Sequence, residues 1–148
     1  MFKSLWYTLL LGVVTILSGC DEFDGDEFRK YLPITQNTSS ELLSERVWFS
    51  CAIAGYSLSN TYDPPDVELP QGFERWSQFP ISDHVRENSI VYRILGSQSK
   101  CWTTDLIELT GHSSIWDFVE NIDGAFSNMG SILLIFDRTQ NRIFIMEG

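Results

Sequence analysis

The groups in this sequence whose chemistry could go beyond packing are three thiols (Cys20, Cys51, Cys101), two imidazoles (His84, His112) and twenty carboxylates. A metal needs three or four such ligands converging at fixed spacing. Asp83-His84 with Glu87 would share one helical turn, but two neighbouring ligands define no site, and neither Cys51 nor Cys101 has histidine at zinc spacing. Nucleophilic catalysis needs a hydroxyl or thiol, a base and an orienting acid, and no spacing selects one serine beside either histidine. Gly55-Tyr56-Ser57-Leu58-Ser59 has the first glycine and the serine of a nucleophile elbow. It lacks the second glycine, and the following Asn60-Thr61-Tyr62-Asp63-Pro64-Pro65 cannot supply the required helix. The acids offer no privileged carboxylate pair for glycoside chemistry. His112, after Gly111 and before a helix start, suits a capping or surface role. The expectation is a protein without catalysis, cofactor or metal, with a small hydrolase as the alternative from another class.

Cys20 stands apart from the other thiols because of what precedes it. Met1-Phe2-Lys3 is weakly positive, and Leu5 to Leu17 is apolar except for two threonines. A positive start, an apolar segment of roughly 7–15 residues and a small-residue cleavage site make a secretory leader. Leu5 to Gly19 falls short of the roughly 20 apolar residues a spanning helix needs, and acids follow at once. Leu17-Ser18-Gly19-Cys20 resembles the lipobox of bacterial lipoprotein precursors, a resemblance that covers about the first twenty residues. It implies a diacylglycerol on the Cys20 thiol and a third acyl chain, such as palmitate, on the freed amine. Each buried CH₂ contributes about 0.8 kcal/mol, and two or more chains hold a protein stably on a membrane. Asp21-Glu22 resembles the signal that retains enterobacterial lipoproteins in the inner membrane, with the outer membrane as the alternative address. An ordinary secretory signal cleaved near Gly19 is the simpler alternative for the leader.

Cleavage before Cys20 removes Lys3 and leaves a mature chain of 129 residues near −11, nine basic against twenty acidic. That size suits one domain, and a chain that is 43% hydrophobic and 14% aromatic can build a core. Nucleic acid and anionic lipid headgroups bind through Lys and Arg, so neither is an expected partner. A cationic protein or peptide fits the charge, and plain solubility is the competing explanation. With Cys20 assigned to lipid, Cys51 and Cys101 form an even pair in an oxidising compartment, where a disulfide is expected over two buried thiols.

The organisation predicted from the chain is a leader over 1–19, an acidic tether over 20–38 and one periplasmic domain over 39–148. Asp21 to Lys30 holds five acids and a glycine without a helical or strand period, which predicts a solvated spacer. Its acids lack EF-hand spacing. Glu41 to Arg46 reads as a short helix capped by Ser39 or Ser40. Val47 to Ala54 is a continuous apolar run, either a buried strand or a continuation of that helix. Ser89–Leu95 and Cys101–Leu109 read as strands joined by a hairpin at Gly96–Lys100. Ser113 or Ser114 caps a helix with Ile115, Phe118, Val119 and Ile122 on one face and Trp116, Asp117, Glu120 and Asn121 elsewhere, weakened or ended at Gly124. Ser131–Phe136 and Ile143–Met146 make a last hairpin. This ββαββ order in the C-terminal half predicts an α+β domain, a small antiparallel sheet with a helix packed on one face.

Thr61 to Pro80 carries four of the five prolines and several aromatics. Phe73, Trp76 and Phe79, three residues apart, predict a helical turn packed on the core. The residues expected to meet a partner are Tyr62, Asp63, Asp66, Glu68, Phe73 and Trp76, because aromatic anchors dominate interface energies. The competing reading is a loop held down by its own aromatics. Anchor, acidity and a stapled domain lead to the expectation of a lipid-anchored periplasmic protein that binds another protein. An immunity-type inhibitor of a secreted toxin is one form, and an accessory subunit of an envelope or secretion complex is the alternative.

Overall fold

Two runs decide the centre of the fold: Ile132-Leu133-Leu134-Ile135-Phe136 and Ile143-Phe144-Ile145-Met146. Their β-branched and aromatic side chains suit a pleated, buried surface. Between them Asn141 takes left-handed backbone (φ 52°), which asparagine tolerates in a tight connection. In the computed structural model, which describes residues 26–33, 40–48, 50–59, 68–81 and 89–148, the two runs are adjacent antiparallel strands. In chain order the described elements are α1 (Asp26–Arg29), β1 (Ser40–Trp48), β2 (Cys51–Leu58), β3 (Ser77–Gln78), α2 (Ile90–Gln98), a 3₁₀ turn (Ser99–Cys101), α3 (Thr104–Thr110), α4 (Ile115–Asn121), β4 (Gly124–Met129), β5 (Ile132–Asp137) and β6 (Arg142–Glu147). The strands form one antiparallel sheet in the order β1-β2-β6-β5-β4-β3. The α+β class with an antiparallel sheet therefore holds.

Every residue of β5 is buried, so both faces of the sheet are covered at its centre. The period-2 alternation of a strand divides them. Leu133, Ile135, Phe144, Met146 and Ile53 point to one side, where they pack with Val91, Ile94 and Leu95 of α2, Leu106 of α3, and Ile115, Phe118 and Val119 of α4. Leu134, Phe136, Ile143, Ile145, Ala54 and Tyr56 point to the other, where they pack with Phe28 and Leu32. The register pairs Leu133 with Met146 and Ile135 with Phe144 on the helix side, and Leu134 with Ile145 and Phe136 with Ile143 on the opposite side.

The segment predicted as a solvated tether is therefore corrected over its described part. Phe28 is 1% exposed and Leu32 4% exposed. Arg29 reaches the carbonyl (3.1 Å) and hydroxyl (3.0 Å) of Ser40, fastening the turn to the start of β1. Acids dominate the composition of this segment, but Phe28 in α1 and Leu32 in the turn that follows it both pack on the same face of the sheet.

The order within the C-terminal half is corrected as well: three helices precede three strands, so ββαββ does not hold. Ser89–Leu95 is not a strand, because Ser89 caps a helix by accepting from the Tyr92 amide (3.1 Å). Val91, Ile94, Leu95 and Gln98 are its buried stripe, at helical spacing. The stripe outweighs the strand preference of Ile90-Val91-Tyr92, since propensity is a weak prior against packing. The predicted hairpin at Gly96–Lys100 is the end of α2 and the 3₁₀ turn. Most of the second predicted strand is α3, closed by Gly111 in left-handed backbone (φ 76°). Glu41–Arg46, predicted helical, pairs with β2 as the sheet's first strand, with a register shift between Leu42 and Ser44. Val47 to Ala54 spans the end of β1 and the start of β2. The helix over Ile115–Asn121 is as predicted, with the Ser114 hydroxyl accepting from the Asp117 amide. Gly124 does not belong to it. It starts β4, where a Cβ would collide with the Phe136 carbonyl oxygen, so a close backbone approach selects glycine.

Helices and sheet are locked together at Gln98, which is 1% exposed. Its side-chain oxygen accepts from the Ala52 amide (2.9 Å), and its nitrogen donates to the Ser50 (3.1 Å) and Glu147 (2.6 Å) carbonyls. Gln98→Ala removes these three bonds, and a longer one to the Ser97 hydroxyl (3.4 Å), and leaves the backbone partners to find water at a partly closed seam. About 2 kcal/mol of stability should be lost, on the scale of 1–3 kcal/mol for one unsatisfied buried group. Urea unfolding of Gln98→Ala checks it, and an unchanged midpoint would contradict this locking role.

Candidate functional site

Of the residues singled out in the sequence, Cys51 and Cys101 are brought together: they form a disulfide with Cα atoms 5.5 Å apart. It joins the first residue of β2 to the 3₁₀ turn after α2, beside Gln98. Cys20, Asp21, Glu22, Tyr62, Asp63, Asp66, Asp83, His84 and Glu87 lie outside the described residues. Glu68 is exposed.

Phe73, Trp76 and Phe79 do not form one helical turn. Residues 73–76 run without regular structure and 77–78 form β3, which pairs with β4. Successive side chains then diverge to the two faces. Phe73 and Trp76 pack, half-buried, against the cluster around Phe28 and Tyr56, with the Phe73 ring 6.2 Å from that of Tyr31. Phe79 crosses to the helix side, its ring 4.9 Å from that of Phe126. The loop is fastened to β4 through the Ser127 hydroxyl, which donates to the Glu74 carbonyl (2.6 Å), and the Glu74 amide, which donates to the Asn128 carbonyl (2.9 Å). Phe73 and Trp76 are thus part of the sheet's cover.

The concave surface lies instead on the helix side. Pro80, Ile81, Tyr92, Trp116, Val119 and Glu120 line a cleft of about 200 Å³. Through Pro80 and Ile81 it adjoins a larger trough of about 520 Å³ along β3, lined by Ile90, Val91 and Phe126 together with Glu74, Arg75 and Asn128. Tyr92 projects from α2 and Trp116 from α4, and their rings face each other at 4.7 Å with planes 39° apart. The strand reading of Ser89–Leu95 hid this pairing. Once α2 is a helix with Val91, Ile94 and Leu95 inside, Tyr92 must face out, toward the side of α4 that carries Trp116 and Glu120.

His112 lies between α3 and α4. Its carbonyl accepts from the Trp102 indole (3.0 Å) and its Nδ1 is 3.5 Å from the Asp117 carboxylate. That carboxylate also accepts from the Ser113 amide (2.9 Å) and hydroxyl (3.2 Å). The Ser113 amide above all holds the Asp117 carboxyl below its ordinary pKa, with the Ser113 hydroxyl and His112 adding to it and partial burial opposing. Ser113 donates to the acid and not to the imidazole, so the group closes the α3–α4 corner as a cap. Among the described residues no cluster of three or more metal-ligating side chains occurs, and no helix is long and apolar enough to cross a membrane.

Asp137, at the end of β5, has the opposite titration. It is 5% exposed, and burial pushes its carboxyl above the usual value of 3.8, against amide donors from Gln140 and Thr139 and the charge of Arg142. The folded protein therefore holds this proton more tightly than the unfolded chain. The stabilisation is complete below about 3.8 and is lost as pH rises through the raised pKa. Asp137→Asn keeps an acceptor for the turn amides and removes the charge. Its stability relative to wild type should rise with pH across that window and level off above it. Paired urea titrations from pH 3.5 to 7 measure the difference, and a pH-independent difference would contradict the assignment.

No protein-family model, curated protein or solved structure matches the chain.

Proposed function

We propose that this chain is a lipid-anchored protein of the bacterial periplasm that works by binding a cationic protein partner and performs no catalysis of its own. The observation that carries the reading is Leu17-Ser18-Gly19-Cys20 at the end of the apolar run, with Asp21-Glu22 directly behind it. The Cys51–Cys101 disulfide supports it, since such bonds persist in oxidising compartments such as the periplasm. The formal charge of −10 supports the sign of the partner. In its most concrete form the protein covers a secreted toxin as an immunity-type inhibitor at the inner membrane. The second form is an accessory subunit of an envelope or secretion complex, and a gene for a secreted effector or for a secretion machine beside this one separates the two.

The anchor is tested with Cys20→Ser, which should abolish acyl labelling and leave uncleaved precursor. Normal maturation of that variant would refute the lipid anchor. Asp21→Ser should shift the protein to the outer membrane if retention follows the enterobacterial rule. For the partner, the tagged full chain is solubilised in neutral detergent and challenged with envelope extract at low and high salt. A cationic protein retained only at low salt is the expected result, and failure to retain one at low salt would overturn the electrostatic contact.

A further inference from the structure

We propose that the trough between β3 and the first turn of α2 binds a small organic monocarboxylate with an apolar body, a site independent of the cationic-partner reading. One side of the trough is the N-terminus of α2, a helix of nine residues. Ser89 caps it by accepting from the Tyr92 amide, and the first bond back along the helix runs from the Arg93 amide to the Ser89 carbonyl. The Ile90 and Val91 amides lie ahead of that bond, among the orphan donors that every helix start leaves. No acidic side chain stands in the first turn, so none there neutralises the positive end of the helix.

A second observation points to a ligand. Asn128 of β4 is 7% exposed and lines the same trough. Its pairing with Leu133 and its place two residues beyond Phe126 put it on the helix side of the sheet. Its backbone carbonyl accepts from the Glu74 amide (2.9 Å), but no described residue hydrogen-bonds its side-chain amide. A polar group this buried ordinarily has a partner, and a buried donor without one is costly. An acceptor lying in the trough would satisfy it. Arg75 stands exposed on the trough wall, and no described residue pairs with it. Amides at a helix start, a guanidinium and a side-chain amide together make a donor set for a carboxylate.

The rest of the lining narrows the occupant. Ile81, Ile90, Val91 and Phe126 give the trough an apolar floor, and its volume of about 520 Å³ falls within the roughly 300–1,000 Å³ of small-molecule sites. One guanidinium and the partial charge of one helix end match a single negative charge. Glu74 on the same trough and the net charge of −10 both oppose a dianion.

The test uses the full chain in neutral detergent micelles at pH 8, labelled with ¹⁵N at isoleucine, valine and asparagine. The probe is isocaproate, with isocaproamide as its uncharged isostere and inorganic phosphate as the dianion. Isocaproate should move the Ile90 and Val91 backbone amides and the Asn128 side-chain amide saturably, with a Kd on the order of 1 mM. The other two probes should not. Arg75→Gln should weaken binding about fivefold and Asn128→Leu about tenfold. Since no described contact of the fold uses the Asn128 amide, Asn128→Leu should leave the urea midpoint unchanged or raised. A lowered midpoint or unchanged binding in that variant overturns the role given to Asn128. No saturable movement of the three groups, or an equal response to isocaproamide, overturns the site, and an equal response to phosphate overturns the monocarboxylate. N-acetyl-alanyl-alanyl-leucine binding more than about tenfold tighter than isocaproate overturns the small-molecule occupant in favour of a protein C-terminus.

Discussion

Replacing both Cys51 and Cys101 by Ala should lower the stability of the folded chain by about 4 kcal/mol, the largest single change expected for this protein. The bond closes a sequence separation of 50 residues, and the loop-closure entropy it removes from the unfolded chain gives that figure at 25 °C before any strain is counted. The loop contains the whole of β2, β3 and α2, so the bond restricts the elements that assemble the helix side of the sheet. Its position adds to its effect. Cys101 is buried and sits at the same seam as Gln98, so loss of the bond also frees the corner at which Gln98 reaches Ser50, Ala52 and Glu147. Against a total of about 5–15 kcal/mol for a domain, a loss of 4 leaves a protein that unfolds at mild denaturant. At a urea slope of about 2 kcal/mol per M the midpoint should fall by about 2 M. The same fall should follow reduction of the wild type, because the thiols return to the unfolded state without the cross-link. A decrease below about 1 kcal/mol in both experiments would mean that the unfolded chain is already constrained between β2 and α2. Under the proposed periplasmic reading, that stability is acquired after export, when the pair is oxidised.

How far the fold was legible depended on whether a segment's own pattern agreed with its packing. Ile132–Phe136 and Ile143–Met146 were read correctly because β-branched and aromatic residues are also what a strand buried on both faces requires. Ser114 with Ile115, Phe118 and Val119 was legible because the cap and the helical stripe agree. Ser89–Leu95 was misread because its residue types favour a strand while its spacing is helical, and the last member of the buried stripe is the polar Gln98. Glu41–Arg46 failed in the other direction, since helix-forming residues were recruited to the sheet by pairing with β2. The disulfide was legible by counting thiols once Cys20 was set aside. The Tyr92–Trp116 cleft was not, because it needs α2 and α4 side by side, and neither helix announces the other. The sequence offers Phe73 and Trp76 as partner contacts or as aromatics that hold their own loop down, and only the topology shows that they help close the second face of the sheet.

The same topology predicts that Phe28→Ala will cost about 3 kcal/mol, although its neighbours in sequence are almost all acidic or basic. Removing a fully buried phenylalanine ordinarily costs roughly 3–5 kcal/mol. The lower end applies because α1 is a single turn at the edge of the described domain and can detach before the sheet unfolds. Phe28 shares its cluster with Tyr56, Leu134, Phe136 and Ile145, so its loss opens the centre of the second face. The Arg29 guanidinium, bonded to Ser40 and 5.7 Å from the centre of the Tyr56 ring, should come away with it. Trypsin reads this directly, since Arg29 and Lys30 stand in the docked turn: the wild type should resist cleavage there and Phe28→Ala should be cut. An unchanged urea midpoint together with equal cleavage would restore the solvated tether. Under the lipid-anchored reading the docking also sets geometry. Six residue steps separate Cys20 from Asp26, a reach of about 20 Å at full extension. With α1 docked, the second face of the sheet is held within that distance of the bilayer, and the helix side, with its Tyr92–Trp116 cleft, is the face left for a partner. Undocking α1 adds residues 26–33 to the leash and should loosen that orientation, so Phe28→Ala should also reduce the protection that membrane attachment gives to the second face in hydrogen exchange.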